Sequence, residues 1–385
     1  MNESQNILVL GGGVGGLVAA HELRRLLPRE HRVTLVDREP RFVFAPSLLW
    51  LMTGGRSAEG ISRPLARLKR QGIEVVQGEI ERIDVAHREV TVSGEKLSAD
   101  HLVIALGAEL APETVPGLAA AGHNFYTVAG AEALRDALSA FTGGRLVVLT
   151  AAPAYKCPAA PYEAAMLLEH YCRSKKVRGK TQLDLYAAEP GPMGVAGPEV
   201  SKGVRQLVES KGITYHPEHQ VQEVDPSTRR LRFTNGAEVI YDLLAYVPPH
   251  RAPRVVRESG LVSESGWVTV DAHTMETKFE RVYALGDVVS IPLKLGKPLP
   301  KAGVFAHAEA EVVARNIARA ITGRGTPAAF DGMGACFVET GDGRAAFGRG
   351  NFYAEPVPEV KLHAPGWHWH IGKVWFEKNW LWRWF

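Results

Sequence analysis

The sequence contains three cysteines, and two of them, Cys157 and Cys336, stand in distinctive local sequences. Cys157 follows Lys156 and comes directly before an apolar helix, which we predict over residues 159–172. The partial positive charge of a helix N-terminus and a neighbouring ammonium group both stabilise a thiolate, the nucleophilic form of cysteine. We therefore predict that Cys157 is reactive, whereas Cys172, on the apolar helix, is a core residue.

A glycine-rich loop near the start of the chain has the spacing of a dinucleotide-binding site. The strand Asn6–Leu10 is followed by Gly11, Gly13 and Gly16, and then by an apolar helix. Gly11 permits a tight turn, Gly13 lets the backbone approach a pyrophosphate, and Gly16 lets the helix pack against the strand. A second apolar strand ends at Asp37, whose carboxylate can accept a hydrogen bond from a ribose hydroxyl. The pattern predicts an FAD-type nucleotide site.

A second α/β unit lies in the middle of the chain but lacks the glycine loop. The predicted strand at 145–149 is followed by residues 150–157, Thr-Ala-Ala-Pro-Ala-Tyr-Lys-Cys, in which no glycine occurs. Bulky residues and a proline at this turn would keep a pyrophosphate away from the backbone. We therefore expect a nucleotide fold whose loop holds no nucleotide and carries a cysteine instead.

We assign the chain to the α/β class, with two Rossmann-like units, the second inserted into the first, and a C-terminal region. Predicted strands at 75–77 and 102–105 precede the second unit and one at 281–285 follows it, so the first sheet is expected to resume after an insertion. The four segments are the first part of the FAD-binding domain, the second Rossmann-like domain, the return of the FAD-binding domain and the C-terminal region, at residues 1–115, 116–245, 246–325 and 326–385.

The composition limits the class of protein. A length of 385 residues allows two or three domains, and 45% hydrophobic with 23% charged residues is typical of a globular protein. The net charge of +3 is small and dispersed, which argues against a nucleic-acid partner. The first strand begins at Asn6, and no apolar run is long enough to span a membrane. We expect neither a secretory signal nor a transmembrane helix. We expect a cytoplasmic location, and the sequence is compatible with a homo-oligomer.

The C-terminus departs from this composition, because six of the eight tryptophans lie between Trp367 and Trp384. A helix would place five apolar side chains on one face, those of Ile371, Val374, Trp375, Trp382 and Phe385. The aromatic rings expected at a membrane are those of Trp375, Trp380, Trp382, Trp384 and Phe385. Interspersed Lys373, Lys378 and Arg383 suit the interface between membrane and water. We expect the tail to bind the cytoplasmic surface of a membrane; packing on the core or on a partner subunit is the alternative.

Together these motifs resemble those of sulfide:quinone oxidoreductases and flavocytochrome c sulfide dehydrogenase flavoproteins, within the disulfide-reductase-like FAD superfamily. The resemblance spans most of the chain. Residues 283–287, Tyr-Ala-Leu-Gly-Asp, resemble a second FAD fingerprint, and residues 300–303 precede a helix directed at the flavin. Residues 44–47, Ile80 and residues 105–107 resemble further cofactor contacts. The FAD contacts that the resemblance implies are Gly11, Gly13, Gly16, Asp37, Pro46, Ile80, Ala105, Gly107, Gly286, Asp287, Lys301 and Gly303.

The resemblance also implies a redox pair in which Cys336 is the partner of Cys157, with their Cα atoms within about 7 Å when bridged. Hydrosulfide would open their disulfide, and the electrons would pass through FAD to a membrane quinone, with sulfane sulfur or polysulfide as product. Glu163 is a candidate base, with an exposed helix glutamate as the alternative, and Lys301 can stabilise negative charge on reduced flavin or quinone. Because both cysteines precede the tail, we expect sulfide to reduce the flavin without residues 371–385.

Some family features are missing, so the sequence assigns no residues to a quinone site. The histidines that many quinone-reducing members carry are absent near Val128 and Pro192, as is a third redox cysteine. Three other functions stay open: a flavoprotein that passes electrons to a cytochrome, an NADH:quinone reductase, and an FAD-binding redox sensor. We expect no metal site, and we interpret His363, His368 and His370 as surface or packing residues.

Overall fold

The computed structural model describes residues 4–385. Its helices are α1 (Val14–Leu26), α2 (Leu48–Leu51), α3 (Leu118–Ala121), α4 (Val128–Ala140), α5 (Ala160–Ser174), α6 (Pro198–Glu209), α7 (Arg254–Glu258), α8 (Gly303–Thr322) and α9 (Trp367–Arg383). Its strands are β1 (Asn6–Leu10), β2 (Arg32–Asp37), β3 (Arg41–Val43), β4 (Ser62–Pro64), β5 (Glu74–Gln77), β6 (Ile80–Asp84), β7 (Glu89–Val92), β8 (Glu95–Ser98), β9 (His101–Ile104), β10 (Glu109–Leu110), β11 (His123–Asn124), β12 (Gly144–Thr150), β13 (Thr181–Ala187), β14 (Thr214–His216), β15 (Val221–Asp225), β16 (Arg230–Phe233), β17 (Glu238–Ile240), β18 (Leu243–Val247), β19 (His250–Arg251), β20 (Val282–Ala284), β21 (Met333–Gly341), β22 (Arg344–Asn351) and β23 (Glu359–Gly366).

The first sheet contains five parallel strands in the order β20-β9-β1-β2-β5. Strand β1 is central, since Ile7 pairs with Val33 of β2 on one side and with His101 of β9 on the other. Its continuous apolar run suits a strand whose two faces are both covered, and its residues join one core with the packed helices α1 and α8. Strand β20 completes this sheet from far along the chain, as the sequence predicts.

The second sheet is also parallel, in the order β11-β18-β12-β13-β14, and all its strands lie between residues 123 and 247. The predicted strand at 145–149 is confirmed as β12, and the predicted helix at 159–172 is confirmed as α5. Both sheets are Rossmann-like, so the α/β assignment is confirmed. We retain the four sequence segments as a proposed division of the chain.

Among residues 4–385, three three-stranded antiparallel sheets and two two-stranded ones, β3-β4 and β10-β19, complete the structure. The sheets β6-β7-β8 and β15-β16-β17 are short excursions, whereas β21-β22-β23 forms most of the C-terminal region before α9. The hairpin between β21 and β22 has a two-residue turn, Asp342 and Gly343. Both residues have positive φ, as a type I′ turn requires. No helix among residues 4–385 combines the length and apolar composition needed to cross a membrane.

Candidate active site

The glycine loop between β1 and α1 packs so closely that side chains are excluded at two positions. Gly11 has a φ of 100°, and a Cβ there would lie 2.4 Å from the carbonyl oxygen of Ala105. A Cβ on Gly16 would lie 1.8 Å from the carbonyl oxygen of Gly11. Both glycines therefore serve the packing of helix, strand and neighbouring turn, as their spacing predicts.

Gly13 differs, because no atom lies within 4 Å of the position that a Cβ would take. This open space adjoins the N-terminus of α1, where free N–H groups favour a phosphate. Asp37 at the end of β2 accepts hydrogen bonds from the backbone N–H groups of Gly12 and of Glu39, the latter at 2.7 Å. Its carboxylate is thereby fixed beside the loop, with lone pairs left for a ribose. The loop fits a dinucleotide.

The second predicted FAD fingerprint lies after β20 and faces the start of α8. Gly286 has a φ of 76° and its N–H donates to Glu309 Oε2 at 2.7 Å. The half-buried carboxylate of Asp287 accepts no hydrogen bond from residues 4–385, and loss of solvent raises its pKa. Hydroxyl groups of a ribityl chain would supply the missing donors. Gly303 begins α8 beside Val14 of α1, so the N-termini of two helices adjoin the site.

Lys301 connects this fingerprint to the first cysteine. Its Nζ donates to the backbone oxygens of Asp287 and Val289, each at 2.8 Å, and lies 3.5 Å from the centre of the Trp267 ring. Burial lowers the pKa of Lys301 to about 8. Its own carbonyl oxygen accepts a hydrogen bond from the N–H of Cys157 at 2.7 Å. The residue therefore fixes Cys157 against the predicted flavin site.

The remaining predicted cofactor residues lie at the edges of the first unit. Pro46 is in a short helical turn before α2, and Ile80 is the buried first residue of β6. Ala105 follows β9, and Gly107, with a φ of 65°, has open space beside its Cβ position. Ala105 lies beside the glycine loop, since its N–H donates to the carbonyl oxygen of Leu10 at 2.8 Å. The role of all four residues toward FAD stays a prediction.

Cys157 lies in the loop between β12 and α5, with a φ of 53° that only tight surroundings maintain. Besides the hydrogen bond to Lys301, the hydroxyl group of Tyr126 donates to the carbonyl oxygens of Lys156, at 2.9 Å, and of Cys157, at 3.3 Å. The N–H of Ala160, the first residue of α5, donates to the Cys157 carbonyl at 2.9 Å. Hydrogen bonds to three backbone groups, the N–H and C=O of Cys157 and the C=O of Lys156, therefore fix the position of this cysteine.

Cys336 reaches the same site on the hairpin of β21 and β22, which is anchored to α5 at two points. The N–H of Glu339 donates to Glu163 Oε1 at 2.7 Å. At the hairpin turn, Asp342 pairs with Arg173 at 2.8 Å, and this guanidinium holds the pKa of Asp342 at about 2. Because α5 follows Cys157 directly, these contacts place the strand of Cys336 beside the helix that begins after Cys157, and a charge on Cys336 raises the pKa of Cys157.

Both thiols are half-buried, and the pKa of each is raised, which disfavours the predicted thiolate. Loss of solvent, Cys336 and Glu163 raise the pKa of Cys157, and loss of solvent and Glu163 raise that of Cys336 to about 12. The prediction that Lys156 favours a Cys157 thiolate is wrong. The Lys156 charge acts on Asp287 and His250 instead. Cys172 is fully buried in the core, as predicted.

A chain of buried charged side chains lies beside the cysteines. Glu163, predicted to be either a base or an exposed helix residue, is 2% exposed, so the exposed alternative is wrong. Its Oε1 accepts from Lys373 Nζ at 2.6 Å. Glu339 is buried next to this pair, and His370 Nδ1 lies 3.0 Å from both of its carboxylate oxygens. His370 is the one partly exposed member of this group.

The nucleotide position of the second unit is filled by its own side chains. Glu189, after β13, stands where an acid would hold a ribose in such a fold. It accepts hydrogen bonds from the hydroxyl groups of Tyr155, Tyr162 at 2.7 Å and Thr150 at 2.9 Å. Tyr155 and Tyr162 are both buried. The second unit thus lacks the glycine loop, and Tyr155 and Tyr162 occupy the carboxylate of Glu189.

Helix α9 has two different faces. Trp375 and Trp382 are 66% and 80% exposed, and Trp367 and Ile371 are exposed beside them. The opposite face is buried and carries Lys373, Glu377, Trp380, Leu381 and Trp384. The tryptophan density predicts one membrane-facing surface, but Trp380 and Trp384 pack into the core of the first unit and Phe385 lies against Phe42.

The charges of α9 also correct two expectations. Lys373, expected at lipid headgroups, is buried in the pair with Glu163. Glu377 pairs with Arg56 at 2.8 Å and accepts from Ser47 Oγ at 2.6 Å, next to the predicted flavin loop. Residues 371–385 thus contribute Lys373 to the surroundings of the cysteines, so the assumption that the site lies wholly upstream of the tail is wrong. That sulfide reduces the flavin without these residues stays a prediction. Sequence reasoning missed the burial of Lys373 and Glu377, because the partners of both lie far along the chain, at Glu163 and Arg56.

Residues 5–310 match the model of the family described as pyridine nucleotide-disulphide oxidoreductase. The chain belongs to this family. It is 29% identical to a sulfide-quinone reductase of Aquifex aeolicus, over 99% of this chain and 91% of that protein. It is 26% identical to a mitochondrial sulfide:quinone oxidoreductase of Mus musculus, over 91% of this chain and 79% of that protein.

The X-ray structure of the Aquifex aeolicus sulfide:quinone oxidoreductase is similar throughout, with a TM-score of 0.90 and 27% identity, and the match covers 99% of this chain and 91% of that one. FAD is the cofactor of the family, and the residues around Gly13 and Asp287 fit it. The protein is therefore an FAD-binding oxidoreductase.

Proposed function

We propose that this oxidoreductase oxidises sulfide to sulfane sulfur or polysulfide at the pair Cys157 and Cys336 and passes the electrons through FAD to a membrane quinone. The observation that carries this proposal is the position of Cys157, hydrogen-bonded to Lys301 between the predicted flavin site and the hairpin of Cys336. Relatives named for sulfide and quinone, similar along almost the whole chain, support the same substrates.

The sulfur chemistry can be written in terms of the chain's own residues. Hydrosulfide attacks the disulfide of Cys157 and Cys336, so that one new S–S bond forms and the bond between the cysteines breaks. One cysteine then carries a persulfide and the other keeps the electron pair as a thiolate. A second hydrosulfide removes the outer sulfur as a disulfide anion, and the two freed cysteines re-form their S–S bond with loss of two electrons and their protons. FAD, which residues around Gly13 and Asp287 would hold, would supply the two-electron acceptor between the cysteines and a quinone. Lys301 supplies a positive charge beside Asp287, and its lowered pKa lets it also release a proton.

The second unit supports sulfide rather than a nicotinamide as the electron donor. A nicotinamide nucleotide would have to displace Tyr155 and Tyr162 from Glu189, leaving this half-buried carboxylate without its hydroxyl donors. An incoming pyrophosphate would also meet residues 150–155, where no glycine gives access to the backbone. This loop therefore favours an electron donor that reacts with Cys157 over a nicotinamide nucleotide.

We further propose that the exposed face of α9 binds the cytoplasmic surface of the membrane in which the quinone is dissolved. Trp367, Ile371, Trp375 and Trp382 form a stripe on this face, and Lys378 lies within it. Burial of apolar surface contributes about 25 cal/mol per Å², so these side chains together would contribute several kcal/mol. The opposite face is fixed to the cysteine site, which would place the site next to the bilayer.

Anaerobic titration of the purified flavoprotein tests the enzymatic proposal. Sulfide is expected to bleach the flavin absorbance, a long-chain quinone in liposomes to restore it, and NADH to leave it unchanged. Bleaching by NADH at a comparable rate, with none by sulfide, would favour the NADH:quinone reductase. Restoration by a cytochrome but not by the quinone would favour the cytochrome-linked flavoprotein.

The membrane proposal is tested by comparing the two faces of α9. The double variant Trp375→Ala/Trp382→Ala is expected to lose most of its binding to anionic liposomes in a flotation assay and to keep its melting temperature. The matched variant Trp384→Ala, on the buried face, is expected to be destabilised by about 3–5 kcal/mol. Full liposome binding by the double variant would refute the proposal.

A further inference from the structure

The buried charges beside Cys336 form a connected group with one end at the surface. Glu163 of α5 bridges Lys373 of α9 and the backbone of Glu339 in β21, and Glu339 in turn pairs with His370. The side chains of Lys373, Glu163 and Glu339 are at most 6% exposed, whereas that of His370 is 29% exposed. His370 is therefore the member of this group that reaches solvent.

The composition of this group leaves a transient anion on sulfur dependent on one ammonium group. Two carboxylates, Glu163 and Glu339, face one ammonium group, that of Lys373, and loss of solvent raises the pKa of Glu339. Glu163 raises and Lys373 lowers the pKa of the Cys336 thiol. The other nearby charges, Arg56 and Glu377, are paired with each other and leave this balance unchanged. Lys373 is thus the cation whose charge lowers the pKa of Cys336, and its contact with Glu163 places it beside the strand that carries this cysteine.

Sulfide oxidation places an anionic sulfur on Cys336 in either order of attack. If Cys157 receives the sulfur, Cys336 leaves as a thiolate. If Cys336 receives it, the persulfide R–S–SH loses its proton to give R–S–S⁻. In the second case the S–S bond to the entering sulfur replaces the bond between the cysteines, and the disulfide is the oxidant. The released proton needs an acceptor within the buried site.

We propose that Lys373 is a positioning residue that holds the anionic sulfur of Cys336, and that Glu339 and His370 carry the released proton to solvent. This inference rests on the proposed sulfide oxidation and adds the C-terminal helix to the sulfur site. The helix contributes both Lys373 and His370 one turn apart. The same turn therefore stabilises the charge and removes the proton.

Alkylation of Cys336 by iodoacetamide, followed by peptide mass spectrometry, tests the role of Lys373 without turnover. In the holoprotein reduced with a phosphine, Lys373→Gln is expected to move the pH midpoint of alkylation up by about one unit. Lys373→Arg should keep it, and Glu163→Gln should move it down, because a negative charge is removed. The exposed Lys361→Gln is the matched control and should have no effect.

A merely structural role would move the Lys373→Gln and Glu163→Gln midpoints in the same direction or leave both unchanged, and either result would overturn the proposal. If Lys373→Gln fails to fold, the Glu163→Gln and Lys373→Arg variants decide. In that case, the proposal is overturned if the pH midpoint of Cys336 alkylation is not lower in the Glu163→Gln variant than in the wild type.

The proton route is tested by the rate at which sulfide bleaches the flavin. His370→Gln is expected to slow bleaching by about tenfold and to be rescued by added imidazole, which a structural defect would not show. His368→Gln, an exposed histidine on the same helix, is the control. Wild-type rates in His370→Gln, or a loss that imidazole does not restore, would refute the route. If sulfide does not bleach the wild-type flavin, the proposed function fails instead, and alkylation still reports on Lys373.

Discussion

The two Rossmann-like units of this chain have similar parallel sheets but opposite loops after their first central strand. After β1, the loop is held by glycines and leaves open space beside Gly13. After β12, the loop is filled by Tyr155 and carries Cys157 at positive φ. The first unit therefore presents its backbone to a ligand, and the second presents a side chain. The comparison shows that one fold can supply a cofactor site and a redox group, depending on the turn.

The largest expected effect is the loss of the redox side chain from the second loop. Cys157→Ser should lower the rate of sulfide-dependent flavin bleaching by about three orders of magnitude or more, because the serine cannot form the disulfide. Stopped-flow absorbance under anaerobic conditions measures the rate. Cys172→Ala, which removes a buried thiol outside the site, should bleach nearly as fast as wild type. If Cys157→Ser still bleached at the wild-type rate, the second loop would have no redox role, and the FAD-binding redox sensor would be favoured.

The first loop can be tested by substituting two of its glycines. Gly13→Val should fold with a nearly unchanged melting temperature and be colourless, since its side chain enters the space that fits the pyrophosphate. Gly16→Ala should instead lose about 3 kcal/mol or more of folding stability, because its Cβ would overlap the Gly11 carbonyl oxygen. Absorbance spectra and thermal melts separate the two. A yellow Gly13→Val protein with full flavin content would contradict the assignment of the loop.

The smallest expected effect concerns the buried acid under the second fingerprint. Burial raises the pKa of Glu309 from 4.5 to about 7, so the folded state keeps a proton that the unfolded state has lost between these values. The free energy of unfolding should therefore fall as pH rises from about 4.5 to about 7, by about 1–3 kcal/mol. Glu309→Gln, which cannot ionise, should lack this component. Urea unfolding over a pH series measures it, and identical pH slopes in the two proteins would contradict the burial of a protonated Glu309.

Those features that depend on local sequence could be predicted. The glycine spacing identified the first loop, the missing glycines identified the second, and the apolar runs located β12 and α5. The sheet that carries Cys336 was missed, although Asp342-Gly343 is a typical hairpin turn, because the flanking strands lack a regular apolar alternation.

The charged network around the cysteines was beyond sequence reasoning for a different reason. Lys373 and Glu163 are far apart in sequence, and each alone resembles a solvated helix residue. Their burial is determined by the docking of α9 onto α5 and β21, which no local pattern encodes. The same helix also packs against the first unit, which explains why Trp380 and Trp384 are core residues while Trp375 and Trp382 remain exposed.

The central claim, that Cys157 and Cys336 are one redox pair, is tested most directly by peptide mapping under non-reducing conditions. In the air-oxidised protein, we expect the Cys157 and Cys336 peptides to be joined by a disulfide, with Cys172 free. One equivalent of sulfide under anaerobic conditions should open this bridge and add the mass of one sulfur atom to one of the two peptides. If both peptides carry free thiols after oxidation, or if sulfide leaves the bridge intact, the account is wrong.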